Sequence, residues 1–261
     1  MSVDVGDVKF YQAASMPVDE TSPVGGACSA VEITGATVGE IFPSLVANAA
    51  GGADKTKYSK FFVKNTHGTD SGFTFKAYIR NALDNVSAAG TVTAVSSHSS
   101  DGNTKKLYIT GEDGSGTPQS EEIVLNGTST VTGVKNFGKI YKVEIRLVSS
   151  GAKTTAAGDI TITRGSALGI LPAGYSHAHA EFNIGLPATL NDTVTTTNVN
   201  TAPAGISFSR PNSSGEALSF ASSGTLGPGD AQGVWVQYTL ADGALPLLDL
   251  TDVIVVDWST S

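Results

Sequence analysis

Apolar and polar residues alternate with period two along short stretches of this chain, and glycine- and asparagine-rich turns break them up. That pattern constrains the fold more than any other feature. Phe73–Arg80 (FTFKAYIR) places Phe73, Phe75, Ala77 and Ile79 on one face of an extended segment. Tyr141–Val148 (YKVEIRLV) does the same with Val143, Ile145 and Leu147, and Asp159–Arg164 with Ile160 and Ile162. Lys57–Asn65, Gly90–Ser96, Lys106–Thr110, Glu121–Leu125, Val234–Leu240 and Val253–Trp258 are further runs rich in Val, Ile, Thr and aromatic residues. Asp101-Gly102-Asn103, Asp113-Gly114-Ser115-Gly116, Asn126-Gly127 and Gly227-Pro228-Gly229-Asp230 supply the turns between them. Helical periodicity is nearly absent. Its best candidate, Val38–Ala50, is interrupted by Gly39 and Pro43. The chain is therefore expected to be all-β, with sandwich sheets.

Composition narrows the function classes. Of the 261 residues only 15% are charged and 40% are hydrophobic, too little charge and too much apolar content for a disordered chain. Ser and Thr together make up roughly a fifth, above ordinary globular usage. The single cysteine, Cys28, excludes an internal disulfide framework and a CxxC zinc site; in its Gly25-Gly26-Ala27 context it reads as a small buried residue. No apolar run approaches the roughly 18 residues of a membrane-spanning helix, and Met1–Asp7 does not read as a secretory signal. The net charge of −8 argues against sequence-independent nucleic-acid binding.

The middle of the chain shifts in composition. A Thr-, Gly- and Lys-rich block suggests a β domain at 87–166, inserted into a discontinuous β-sandwich made of 28–86 and 167–261. Residues 1–27, poor in apolar side chains, read as an extended N-terminal arm that docks on a partner.

Few residues suggest chemistry. His177 and His179 flank Ala178, so on a strand both imidazoles share a face, with Glu181 continuing it. His and carboxylate ligands suit zinc. No metal is expected, the pair being only a weak candidate, and a structural or solvent-facing strand is the plainer reading. The acidic turns Asp101–Asn103 and Glu112–Ser115 carry oxygen ligands of the kind calcium takes, but Asp and Gly are equally what tight turns require. There is no G-x-S-x-G elbow, Walker loop or dinucleotide fingerprint. Glu121 and Glu122 are adjacent on a strand and face opposite ways. Trp235, Tyr238 and Trp258 could form a carbohydrate platform, yet their apolar strands favour core filling. No catalytic residue and no cofactor are expected.

Four segments carry a family likeness. They are Lys9–Ala27 (KFYQAASMPVDETSPVGGA); Tyr58–Thr69 (YSKFFVKNTHGT); Leu107–Ile145 with Gly158–Ile162; and Ala202–Pro211 (APAGISFSRP) with Leu226–Ala244. Together they resemble virion structural proteins of tailed bacteriophages. The third is similar to small β modules of phage particles, and the others to a sandwich domain of immunoglobulin-like type. The resemblance implies a non-enzymatic virion component, assembled in the host cytoplasm. Its partners would be other virion proteins, with self-association into a homo-oligomer and with neither nucleic acid nor membrane as partner. A capsid decoration (cement) protein bound to the major capsid protein is the leading implication. The alternative is a tail, baseplate or fibre protein, with a host-surface glycan or receptor as partner.

Overall fold

The computed structural model describes residues 3–34, 41, 55–80, 83, 88–179, 182–211, 213–240 and 253–259. The helical candidate 38–50 lies outside them apart from residue 41. The chain is all-β. It divides into two compact units: Met1–Tyr78 with Phe182–Asp249 and Ile254–Ser261, and Ile79–Glu181 with Leu250–Val253.

In the first unit lie β1 (Val8–Ser15), β2 (Val24–Glu32), β3 (Lys55–Asn65) and most of β4 (Phe73–Arg80). The second unit contains β5 (Gly90–Ser96), β6 (Lys105–Glu112), β7 (Pro118–Val124), β8 (Val131–Phe137), β9 (Lys139–Leu147), β10 (Ile160–Arg164), β11 (Ser166–Leu171) and β12 (His177–His179). The chain then returns to the first unit with β13 (Phe182–Gly185), β14 (Thr195–Thr196), β15 (Leu218–Ser219), β16 (Ala231–Leu240) and β17 (Val253–Ser259).

The second unit has two four-stranded antiparallel sheets, ordered β11-β10-β5-β8 and β12-β9-β6-β7. Alternation puts Val92 and Ala94 of β5, Leu107 and Ile109 of β6, Val143 and Ile145 of β9, and Ile160 and Ile162 of β10 into one buried cluster. Removing these apolar side chains from water is the main force holding the unit together. This unit extends beyond the expected 87–166 because β11 pairs with β10, and β12 with β9.

The first unit holds a six-stranded antiparallel sheet, β13-β16-β3-β1-β2-β14, and a three-stranded sheet, β15-β4-β17. In the smaller sheet Phe75 stacks on Phe220 and on Trp258, with 5.7 Å between centroids in each case.

Within the stretch expected as an extended arm, residues 8–15 form a strand lying between β3 and β2, paired from Val8↔Asn65 to Gln12↔Phe61. Its apolar residues do not alternate, with Phe10 next to Tyr11 and Ala13 next to Ala14, so sequence periodicity hides it, but Ala13 and half-buried Tyr11 pack against Phe62. β2 was equally hidden. It is rich in Gly and Ala, and its pairing with β1 shifts register twice. Gly25, at φ +107°, is required there. A Cβ would stand 2.4 Å from Val194 O and 3.0 Å from the Trp235 ring.

Candidate functional site

The histidine pair lies on β12, at the edge of its sheet. In register, His177 faces Glu144, Ala178 faces Val143 and His179 faces Lys142 of β9. Ala178 is buried in the apolar cluster, so the side chain of His177 lies on the opposite, polar face of the sheet. His177 Nδ1 is 3.0 Å from the Ser176 hydroxyl.

That polar face is dominated by cations around one carboxylate. Glu144 Oε1 lies 2.6 Å from Lys142 Nζ and 3.3 Å from Lys153 Nζ, and Oε2 lies 2.5 Å from Arg146 Nη2. The Arg146 guanidinium also stacks 3.6 Å over the ring of Tyr108 on β6. Burial pushes the Glu144 carboxyl up, but hydrogen bonds from Lys142 and Arg146 and their charges outweigh it and hold the group at about 2. A carboxylate so committed has no oxygen left for a metal, and the cations oppose one. Among the described residues no group of three His, Cys, Asp or Glu side chains is gathered for a metal ion. Glu181 lies outside the described residues.

The acidic turns are structural devices. Asp101 is fully buried and receives four donors. Oδ1 accepts from Lys105 Nζ at 2.7 Å and Ala157 N at 2.9 Å; Oδ2 accepts from Ser96 Oγ at 2.6 Å and Gly158 N at 3.1 Å. Burial raises its pKa, yet these donors bring it down to about 2. It ties the β5–β6 connection to the segment before β10. Asp113 Oδ1 accepts from Ser115 N and Thr117 N at 2.8 and 2.9 Å, closing the β6–β7 turn. Glu121 is buried while Glu122 is exposed, as strand alternation requires, and Glu121 Oε1 accepts from Val134 N at 2.5 Å.

In the first unit the structure assembles a polar cluster that composition and motif reasoning passed over. Lys60, in the middle of β3, is fully buried. Its Nζ donates to Asp192 Oδ1 at 2.5 Å and to Gly26 O at 2.9 Å. It also sits 4.6 Å from the Phe62 ring centroid and 5.5 Å from that of Trp235. Burial pulls the Lys60 ammonium below its ordinary value, and Asp192 partly restores it. Asp192 Oδ2 has no hydrogen-bond donor, and it abuts Gly233, where a Cβ would stand 2.3 Å away. The available signal was three lysines at 57, 60 and 64 in a run otherwise suited to a central strand. Buried lysines need partners, but nothing in the sequence says that Asp192 is one.

Trp235 and Tyr238 are buried, and Trp258 is half-buried against Phe75, so these aromatics present no joint platform to a sugar. Cys28 is half-buried beside Ala13 and Phe62 rather than enclosed, and burial pushes its thiol up, away from the reactive thiolate. Comparison with family models, with curated proteins and with solved structures finds no match for this chain.

Proposed function

We propose that the chain is a non-enzymatic structural component of a tailed-phage particle, and specifically a capsid decoration (cement) protein. In this reading the first unit is an immunoglobulin-like sandwich, and Ile79–Glu181 is a β module inserted between β4 and β13. The likeness of four segments to virion proteins suggests the setting. The observation that carries the reading is the state of the buried acids. Asp101, Glu112, Glu121 and Glu144 are each bonded to a lysine, an arginine or backbone N–H groups, and Asp192 is bonded to Lys60 through one oxygen. Catalysis needs an acid or base left free to exchange its proton with substrate. A scaffold needs its polar groups satisfied and its surface rigid. Edge strand β8 adds Val134, 86% exposed, as an apolar contact for a neighbouring protein.

Adding the purified chain to particles assembled without it tests the proposal. Saturable binding to heads, with raised resistance of the heads to heat, is expected. Binding to tails alone would replace the cement reading by the tail reading, and binding to neither would overturn both.

A further inference from the structure

Three polar residues from distant parts of the first unit meet beside β3. The side chain of Lys57 is 1% exposed. Its Nζ donates to Asn200 Oδ1 and stands 3.0 Å from Glu20 Oε1. Asn200 Nδ2 in turn donates to the backbone carbonyl of Glu20 at 3.3 Å. A primary amine therefore touches a side-chain amide, a carboxylate touches the amine, and the amide nitrogen lies next to the carboxylate's own residue.

Turns hold both partners of the lysine in place. Asp19 Oδ1 accepts from Thr21 N at 2.8 Å and from Ser22 N at 2.9 Å, fixing the bend that carries Glu20. Asn198 Oδ1 accepts from Asn200 N at 2.9 Å and from Thr201 Oγ1 at 3.1 Å. Tyr58 N donates to Val199 O at 2.8 Å, tying that loop to β3 next to Lys57. Reacting groups held this way have lost their translational and rotational freedom before any reaction, a source of large effective molarity. The hydrogen bond from Lys57 holds the Glu20 carboxyl below its ordinary value, in the form that accepts a proton.

We infer that Lys57 and Asn200 become joined by an intramolecular isopeptide bond, with Glu20 carrying protons between them. Glu20 takes a proton from the Lys57 ammonium. The neutral Nζ adds to Cγ of Asn200, forming the N–C bond. Glu20 hands its proton to Nδ2, the Cγ–Nδ2 bond breaks and ammonia leaves. The second proton lost from Nζ passes through Glu20 to that ammonia, which departs as ammonium. Atoms and charge balance, and no electrons are transferred. Asn200 is exposed, so the leaving group has a direct exit to solvent.

The deeper pair, Lys60 and Asp192, lacks this arrangement. The other groups accepting from Lys60 Nζ are the carbonyls of Gly26 and Val194, which cannot relay a proton, so the pair stays ionic. A bond from 57 to 200 spans 143 positions and encloses all of Ile79–Glu181. It would staple a chain whose one cysteine can form no internal disulfide, and reductants would not open it.

Intact-mass measurement on the denatured full chain, followed by peptide fragmentation, tests this. The expected mass is one ammonia below that of the sequence, with a branched peptide joining 57 to 200. Lys57→Met, Asn200→Ala and Glu20→Gln should each restore the full mass. The wild-type reading stands alone even if a variant fails to fold. A folded chain of full sequence mass would overturn the inference. So would a deficit of one water with Lys60 joined to Asp192, or an ammonia deficit that persists in Lys57→Met.

Discussion

The two units bury different things. The interior of Ile79–Glu181 holds a continuous apolar cluster to which both of its sheets contribute, and its buried charged groups, among them Asp101, Lys142, Glu144 and Arg164, are bonded in turns and on sheet faces outside that cluster. The six-stranded sheet of the first unit instead carries Lys57, Lys60, Asn65 and Gln232 into its interior, beside small apolar clusters around Trp235 and Phe62. An apolar core tolerates changes in proportion to the volume removed. A core of paired polar groups fails when one partner goes, because the other is then left buried and unsatisfied. The Lys60–Asp192 pair of the first unit should therefore be more brittle to single substitution than the apolar cluster of the second. Both tryptophans of the chain, Trp235 and Trp258, lie in the first unit. Tryptophan fluorescence therefore follows that unit alone, while far-ultraviolet circular dichroism follows both.

The largest effect is expected from Asp192→Ala. It leaves the Lys60 ammonium uncompensated, and a loss of about 3–5 kcal/mol is expected in denaturant titrations followed by tryptophan fluorescence. A loss below about 1 kcal/mol would show that the first unit does not depend on the pair. The double variant Lys60→Met/Asp192→Leu should recover most of the loss.

In the second unit, Leu107→Ala should cost about 2–5 kcal/mol through lost transfer energy and a cavity. The loss should appear in the dichroism transition and leave the tryptophan transition in place. If both transitions move together, the two units unfold as one.

A smaller effect comes from acid. Asp101 and Glu144, both of the second unit, titrate at about 2 when folded, against ordinary values of 3.8 and 4.5. A carboxyl whose folded value is depressed adds stability above its unfolded value, and that stability is lost as pH falls through the folded one. The second unit should therefore lose on the order of 2 kcal/mol between about pH 5 and pH 2, less than the two shifts alone would give because solvent screens the charges. Asp101→Asn should flatten this dependence in dichroism-detected unfolding; an unchanged slope would remove Asp101 from the account. At the bottom of the scale, Lys9→Ala deletes an exposed ion pair with Glu32 and should leave the denaturation midpoint where it is.

How far these features can be read beforehand differs between the units in the same way. The strands over Phe73–Arg80 and Gly90–Ser96 stand in the sequence with the bounds they have in the fold, since their alternation is strong. Val131–Phe137 escapes notice because it is an edge strand, mostly exposed and carrying Gly133, Lys135 and Asn136. Val8–Ser15 escapes because its apolar residues fall on both faces, so the strand gains its place from its neighbours rather than from its own pattern. The histidine pair was visible as spacing, but the cations that surround Glu144 opposite it come from sheet register.

The all-β class, the turns and the absence of an internal disulfide follow from the sequence alone, through local alternation, residues that tolerate tight turns and a count of cysteines. Which acid meets which lysine is set by the three-dimensional fold. Lys60 finds Asp192 across 132 positions, and Lys57 finds Asn200 across 143. Such pairings depend on strand order and register, which set distances between remote residues and leave no trace in the local pattern of either one.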